Sequence, residues 1–152
     1  MAPIRHVAVA IDFSPITAEL VQCGRQLANW HSARLSLLHV VDDALLQAEF
    51  YSEFTFPTVD VAQWERLREE AVKRLEAIAG APDQSGQIAT HLLSGAPKSE
   101  ITRFVDEQGV DLLVMGSHGH RGVLSWLGST TDGVLHRARC DLYIVRLPTE
   151  SL

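Results

Sequence analysis

The sequence predicts an α/β protein: one doubly wound, five-stranded parallel sheet with helices on both faces. Two observations predict it. Five short runs are almost continuously apolar and β-branched, as strands covered on both faces must be. Four longer segments with apolar residues at helical spacing alternate with them. Strand–helix alternation along one chain gives parallel strands joined by crossover helices. A length of 152 residues suits a single domain spanning 1–152, large enough for a well-buried core.

Ile4–Ile11 (IRHVAVAI) reads as the first strand. In the Asp12-Phe13-Ser14-Pro15 turn that follows, Ser14 is a candidate helix N-cap and Pro15 suits a first helical position. Leu20, Cys23, Leu27 and Trp30 then recur at helical spacing and predict a helix over 15–31. Arg34–Val41 (RLSLLHVV) is the second strand. Residues 43–58 fit neither period. With Phe50, Tyr51, Phe54 and Phe56 they suit either a flap over a site or a loop tucked against the core. Val61, Trp64, Leu67, Ala71, Leu75 and Ile78 mark the second helix, opened by a capping-box-like Asp60 and Gln63 and stopped at Gly80-Ala81-Pro82.

Gln87–Leu93 is the third strand, and Pro97 opens a third helix that ends at Gly109. Leu112–Met115 forms the central strand, and a glycine-rich loop follows with Gly116, Gly119 and Gly122. Gly128-Ser129-Thr130 opens the last helix, with Asp132 in its first turn and His136, Arg137 and Arg139 in its last, which suits the macrodipole at both ends. Asp141–Arg146 is the fifth strand.

Composition narrows the function. A net charge of −6 disfavours a nucleic-acid surface, which needs a basic stripe. No apolar run approaches a bilayer span, and the N-terminal run is cut short by Asp12 without a signal-cleavage pattern. Membrane insertion is therefore not expected. Cys23 and Cys140 lie far apart with no CxxC spacing, which reads as two small core residues in a reduced, cytoplasmic chain.

The segment from Val110 to Arg139 carries the functional signal. Strand, glycine loop and helix N-terminus together present bare backbone N–H groups and a positive dipole end, as an anion requires. A plainer reading is that the glycines only permit a tight turn. In open parallel sheets ligands sit beyond the carboxyl ends of the strands, where strand order reverses. Asp12, Val40, Gly95 and Gly116 all lie at or just after such ends. His118, His120 and Arg121 are the loop's candidate cations for a phosphate chain. His118 and His120 alternate, which disfavours one metal ion gripping both, and no metal site is expected.

AIDFSP after the first strand, LLHV in the second, Gly95-Ala96-Pro97, and VMGSHGHRG…LGSTTDGVLHRARCDLYIVR together resemble the universal stress protein family, over nearly the whole chain. The resemblance implies that family's Rossmann-like fold and ATP as ligand, or AMP or ADP, with Mg2+. Nucleotide-binding members carry G-x2-G-x9-G-[ST]. Gly116 and Gly119 match the first pair and Gly128-Ser129 the end, but eight residues rather than nine separate Gly119 from Gly128. Carried over, the resemblance implies that Asp12 faces the ribose hydroxyls or helps hold a metal ion, and that Ala10 and Val40 line the adenine pocket. Gly116, Gly119, Gly128, Ser129 and Thr130 would contact phosphates. Met115 would touch base or ribose, or equally fill the core.

Dedicated catalytic chemistry is missing. The chain has two lysines, Lys73 and Lys98, and no GK[ST], so it is not a P-loop NTPase. GSHGHRG does not reproduce the G-x-G-x-x-G dinucleotide fingerprint, and no Ser/His/Asp set assembles from strand ends. At most slow ATP hydrolysis is expected. Two functions remain: a nucleotide-binding regulatory module in the stress response that signals to an unknown protein partner, or a nucleotide-independent dimeric interaction protein of the same fold. The retained glycines with Ser129-Thr130 favour the first, and the shorter interval the second. Cys140–Leu147 is nearly all apolar and ends an open sheet, so its unpaired edge invites pairing or must be shielded by the chain's own helices. The resemblance implies a homodimer through this strand.

Overall fold

The computed structural model describes residues 2–43, 61–80, 88–118 and 127–146. Strands β1 (His6–Ile11), β2 (Arg34–Val41), β3 (Ala89–Ser94), β4 (Leu112–Gly116) and β5 (Asp141–Val145) form one sheet. Helices α1 (Thr17–His31), α2 (Val61–Ala79), α3 (Pro97–Gln108) and α4 (Ser129–Leu135) alternate with them. The strand order is β3-β2-β1-β4-β5, and every pairing is parallel. The chain first winds outward from β1 to β3, then returns past β1 to lay β4 and β5 on the other side. This reversal places the two helix pairs on opposite faces and the topological switch point between β1 and β4.

Strand alternation divides the core in two. Val7, Val9 and Ile11 of β1 join Leu37, Leu112 and Val114 beneath α1 and α2, where Leu20, Leu27 and Leu75 are buried. Ala8 of the same strand faces the other way, with Leu38, Val40, Leu113 and Met115, against Ile101, Phe104 and Val105 of α3 and Val134 of α4. Each fully buried aliphatic side chain contributes roughly 1.5–3 kcal/mol relative to exposure. The two clusters clamp the sheet from both sides and hold its carboxyl edge in place.

Several expectations change at the element ends. Ser14 does not cap α1: the N-cap position is Ile16, with no side-chain cap, and Ser14 Oγ is buried without a hydrogen-bond partner. Residues 14–17 instead make a turn in which Thr17 N–H donates to the Ser14 carbonyl at 3.0 Å, so the helix starts two residues later than predicted. Trp30 is 76% exposed despite its helical spacing, as are Val61 and Leu67 at 72% and 52%. Pro97 and Gly109 bound α3 as expected, Gly109 taking the left-handed C-cap conformation at φ 61°.

The last helix, α4, has only seven residues, with His136 at its C-cap; Arg137 and Arg139 fall beyond it rather than in its last turn. Cys23 and Cys140 are half-buried and unpaired. Burial pushes both thiols up, Cys140 to about 11 with Asp141 adding to the shift, so neither is a ready nucleophile. The aromatic segment of residues 44–58, Asp60, Gly119, Arg121 and Leu147 lie outside the described residues.

Candidate functional site

The parallel register sets β1 and β4 side by side, with Val9 opposite Val114. Asp12, just past β1, and Gly116, the last residue of β4, therefore emerge together at the carboxyl edge. Met115 and Val40 do not project into this crevice as free surface. Both are buried in the α3/α4 core, 5% and 8% exposed, and Ala10 packs partly buried against the same cluster. Of the two roles open to Met115, core packing is the one its burial shows.

The glycine loop is pinned at its base. Ser117 N–H donates to the Val145 carbonyl at 2.9 Å, and Gly128 N–H donates to the Ser117 carbonyl at 2.7 Å. Thr131 Oγ1 donates to the Gly116 carbonyl at 2.8 Å. Ser117 and Gly128 are thus joined directly, and Thr131 ties the start of α4 to the end of β4. The start of α4 leaves the N–H groups of Ser129, Thr130 and Thr131 without intrahelical acceptors, because a helix begins with unpaired donors. Thr131 was not among the sequence-derived candidates. Its role as a tie between α4 and β4 depends on a contact fifteen residues back along the chain.

Two observations characterise the loop base: close packing at Gly116 and unmet polarity at His118. A Cβ on Gly116 would fall 2.8 Å from Ile16 Cδ1 and 3.4 Å from the His118 carbonyl, so the residue is glycine because of close approach rather than a positive φ. His118 Nδ1 lies 3.0 Å from Ser117 Oγ, while its Nε2 is buried with no partner. A buried ring nitrogen left unsatisfied is uncommon, and it suits a ligand polar atom.

On the β1 side, Asp12 Oδ1 accepts the Ser14 N–H at 3.0 Å, so the turn-forming role of this aspartate is real. Behind it, His39 Nδ1 lies 2.7 Å from the Ile11 carbonyl, an acceptor, so Nδ1 carries the hydrogen. Burial holds the His39 imidazole below its ordinary value of 6.5, with Asp12 pulling the other way. Phe13 stacks on His39, ring centroids 4.3 Å apart, and Arg74 Cζ lies 4.1 Å from the Phe13 centroid. Sequence reading missed Phe13 and Arg74: one sits in a turn and the other on an arginine-rich helix face, and neither has a distinguishing pattern.

A groove of about 530 Å3 runs between α1 and α2, lined by Pro15, Val21, Arg25, Arg74 and Ile78 among others. It meets the switch-point turn at Phe13, Ser14 and Pro15. Among the described residues no three His, Cys, Asp or Glu side chains gather to hold a metal ion, and no helix is long and apolar enough to cross a membrane.

Comparison with known proteins gives the arrangement a context. Residues 3–146 match the model of the universal stress protein family. Universal stress protein A homologs 1 and 2 of Coxiella burnetii are 30% and 33% identical over 141 and 144 residues, covering 93% and 94% of this chain and 95% of each relative. The solved structure of MJ0577, from Methanocaldococcus jannaschii, superposes with a TM-score of 0.80 at 23% identity, covering 97% of this chain and 99% of that one. A universal stress protein solved in complex with cAMP superposes with a TM-score of 0.60 at 25% identity, covering 95% of this chain and 98% of that one. A family match over almost the full length, on a sheet whose strand order was established independently above, makes this chain a member of the universal stress protein family.

Proposed function

We propose that this chain is an adenine-nucleotide-binding regulatory module, with ATP as its ligand and Mg2+ arriving on the phosphates. The loop base carries the reading: Ser117 is bonded to Gly128 and Gly116 to Thr131, which ties the start of α4 to the end of β4 at the switch point where open parallel sheets take ligands. The relative solved with cAMP supports the ligand class. In this reading Gly116, Gly119, Gly128, Ser129 and Thr130 meet phosphates, with His118 Nε2 and Arg121 beside them. Asp12 takes the ribose, and Ala10 and Val40 back the base. No catalytic group is assigned, and the output is a change of state passed to a protein partner in the cytoplasm. Calorimetry on the purified chain tests this: ATP should bind with one site per chain, and no heat above dilution at millimolar ATP overturns it.

A second reading, nucleotide-independent assembly, is favoured by one observation. Strand β5 pairs with β4 alone and leaves Tyr143 46% exposed at the sheet edge. An edge of this kind suits an isologous homodimer, which either reading accommodates. Val145→Pro removes a backbone donor and stiffens the strand. Sedimentation should show a dimer for the native chain and a monomer for this variant; a native monomer removes the assembly proposal.

A further inference from the structure

We propose that Phe13 is a positioning residue: held in contact with Arg74 and His39, it sets the turn that aims Asp12 and so determines whether the site distinguishes ribose from deoxyribose. The inference rests on the nucleotide reading above and concerns a residue that reading does not use.

The backbone gives the first observation. Phe13 has φ 60°, in the left-handed region that non-glycine residues avoid. A bulky side chain stays there only when its surroundings hold it, and such residues concentrate at functional sites. The local consequence is on either side of it: the left-handed step folds the chain back so that Ser14 N–H reaches Asp12 Oδ1 at 3.0 Å. Phe13 is therefore the hinge residue of the turn that orients the Asp12 carboxylate.

What holds it is equally definite. The Arg74 guanidinium carbon lies 4.1 Å from the Phe13 ring centroid, within cation–π range. The His39 ring lies 4.3 Å from it, tilted by 44°. His39 is in turn anchored to the Ile11 carbonyl at 2.7 Å, one residue before Asp12. The column runs from α2 through the turn to the end of β2, so three elements fix one aspartate. A phenylalanine that merely filled the core would need neither the left-handed backbone nor a cation above its ring. A neutral His39, which its burial favours, also avoids placing a second positive charge under the stack.

The readout is sugar discrimination. A carboxylate aimed at both ribose hydroxyls loses one charge-assisted hydrogen bond with dATP, on the order of tenfold in affinity. ATP, dATP and inorganic triphosphate are titrated into the native chain, Phe13→Gly and Phe13→Tyr, with thermal melts as a check on folding. Glycine accepts the left-handed backbone but removes the clamp. The ATP-over-dATP preference should collapse to within about twofold of unity in Phe13→Gly. Triphosphate affinity should hold, and tyrosine, which keeps the ring, should retain the preference. A folded Phe13→Gly with the native preference overturns the proposal, as does a parallel loss of ATP and triphosphate binding. Equal native affinity for ATP and dATP overturns it while leaving nucleotide binding intact. A native chain that binds no ATP overturns both.

Discussion

At the amino ends of the strands the buried polar groups satisfy one another, whereas the three buried side-chain atoms without a partner among the described residues, Ser14 Oγ, Thr17 Oγ1 and His118 Nε2, lie toward the carboxyl ends. The amino end is a closed network. Asp111 accepts the N–H groups of Arg5 and His6 at 2.8 and 2.9 Å. Those bonds, the one from Arg5 first, hold its carboxyl below the usual range. Arg34 donates to the Gln108 carbonyl at 2.7 Å and lies 3.0 Å from His6 Nδ1. His6 Nδ1 also lies 3.2 Å from the Gln108 carbonyl, and its Nε2 lies 2.8 Å from Ser36 Oγ, so both ring nitrogens have partners. A satisfied network stabilises and rigidifies; an unsatisfied one stores capacity for a guest. The same sheet thus has one end whose polar groups are paired and another, the proposed receptive end, where three described ones are not.

The contrast can be broken most sharply at the receptive end. Gly116→Val fills the space beside Ile16 and the loop backbone. ATP affinity should fall at least on the order of a hundredfold, about 2.7 kcal/mol. The melting temperature should move by only a few degrees, since Ile16 Cδ1 is a flexible end that can give way. Calorimetry and a thermal melt check both halves. Native affinity in a folded variant would dissociate Gly116 from the ligand.

The structural end should respond in the opposite sense. His6 is 3% exposed, and His6→Ala leaves the buried Ser36 hydroxyl without its imidazole partner and opens a cavity, so a loss of about 2 kcal/mol in a urea titration is expected, with ATP affinity unchanged. Acid should act there too. Burial holds His6, His39 and His91 below their ordinary 6.5. The folded chain therefore binds fewer protons than the unfolded one, so this stability is complete above about pH 6.5 and is lost as pH falls through the lowered folded values. Urea midpoints should decline from about pH 7 to pH 5, less steeply in His6→Ala. A flat profile in the native chain would show that these histidines are not linked to folding.

The smallest effect is expected at Ser14. A capping serine replaced by alanine typically loses about 1 kcal/mol. Here the hydroxyl caps nothing, so Ser14→Ala should leave stability within about 0.5 kcal/mol of native. A loss of the full capping magnitude would restore the cap that the sequence suggested.

That serine shows where local reading stops. Strand and helix positions were legible because covered strands must be apolar on both faces and helices must repeat every three to four residues. The periodicity of IRHVAVAI or of Ile101, Phe104 and Val105 is sufficient in itself. Pro97 and Gly109 were legible as helix bounds because each acts through its own backbone torsion. Asp12, Gly116 and Gly128-Ser129-Thr130 were legible as candidates because strand ends and glycines mark them. Residue type alone does not say which polar group finds a partner. Whether Ser14 caps, whether Trp30 is covered, and whether Met115 faces core or crevice depend on the sheet patch each helix happens to reach. The His6 network joins residues up to 106 positions apart, and the Arg74–Phe13–His39 column joins three elements that share no sequence pattern. Sequence by itself determined the elements and their order, and it is the source of the proposal that a ligand sits at the carboxyl edge. Only the tertiary structure decided which end of the sheet is closed and which is open, because polar satisfaction is a property of neighbours in space.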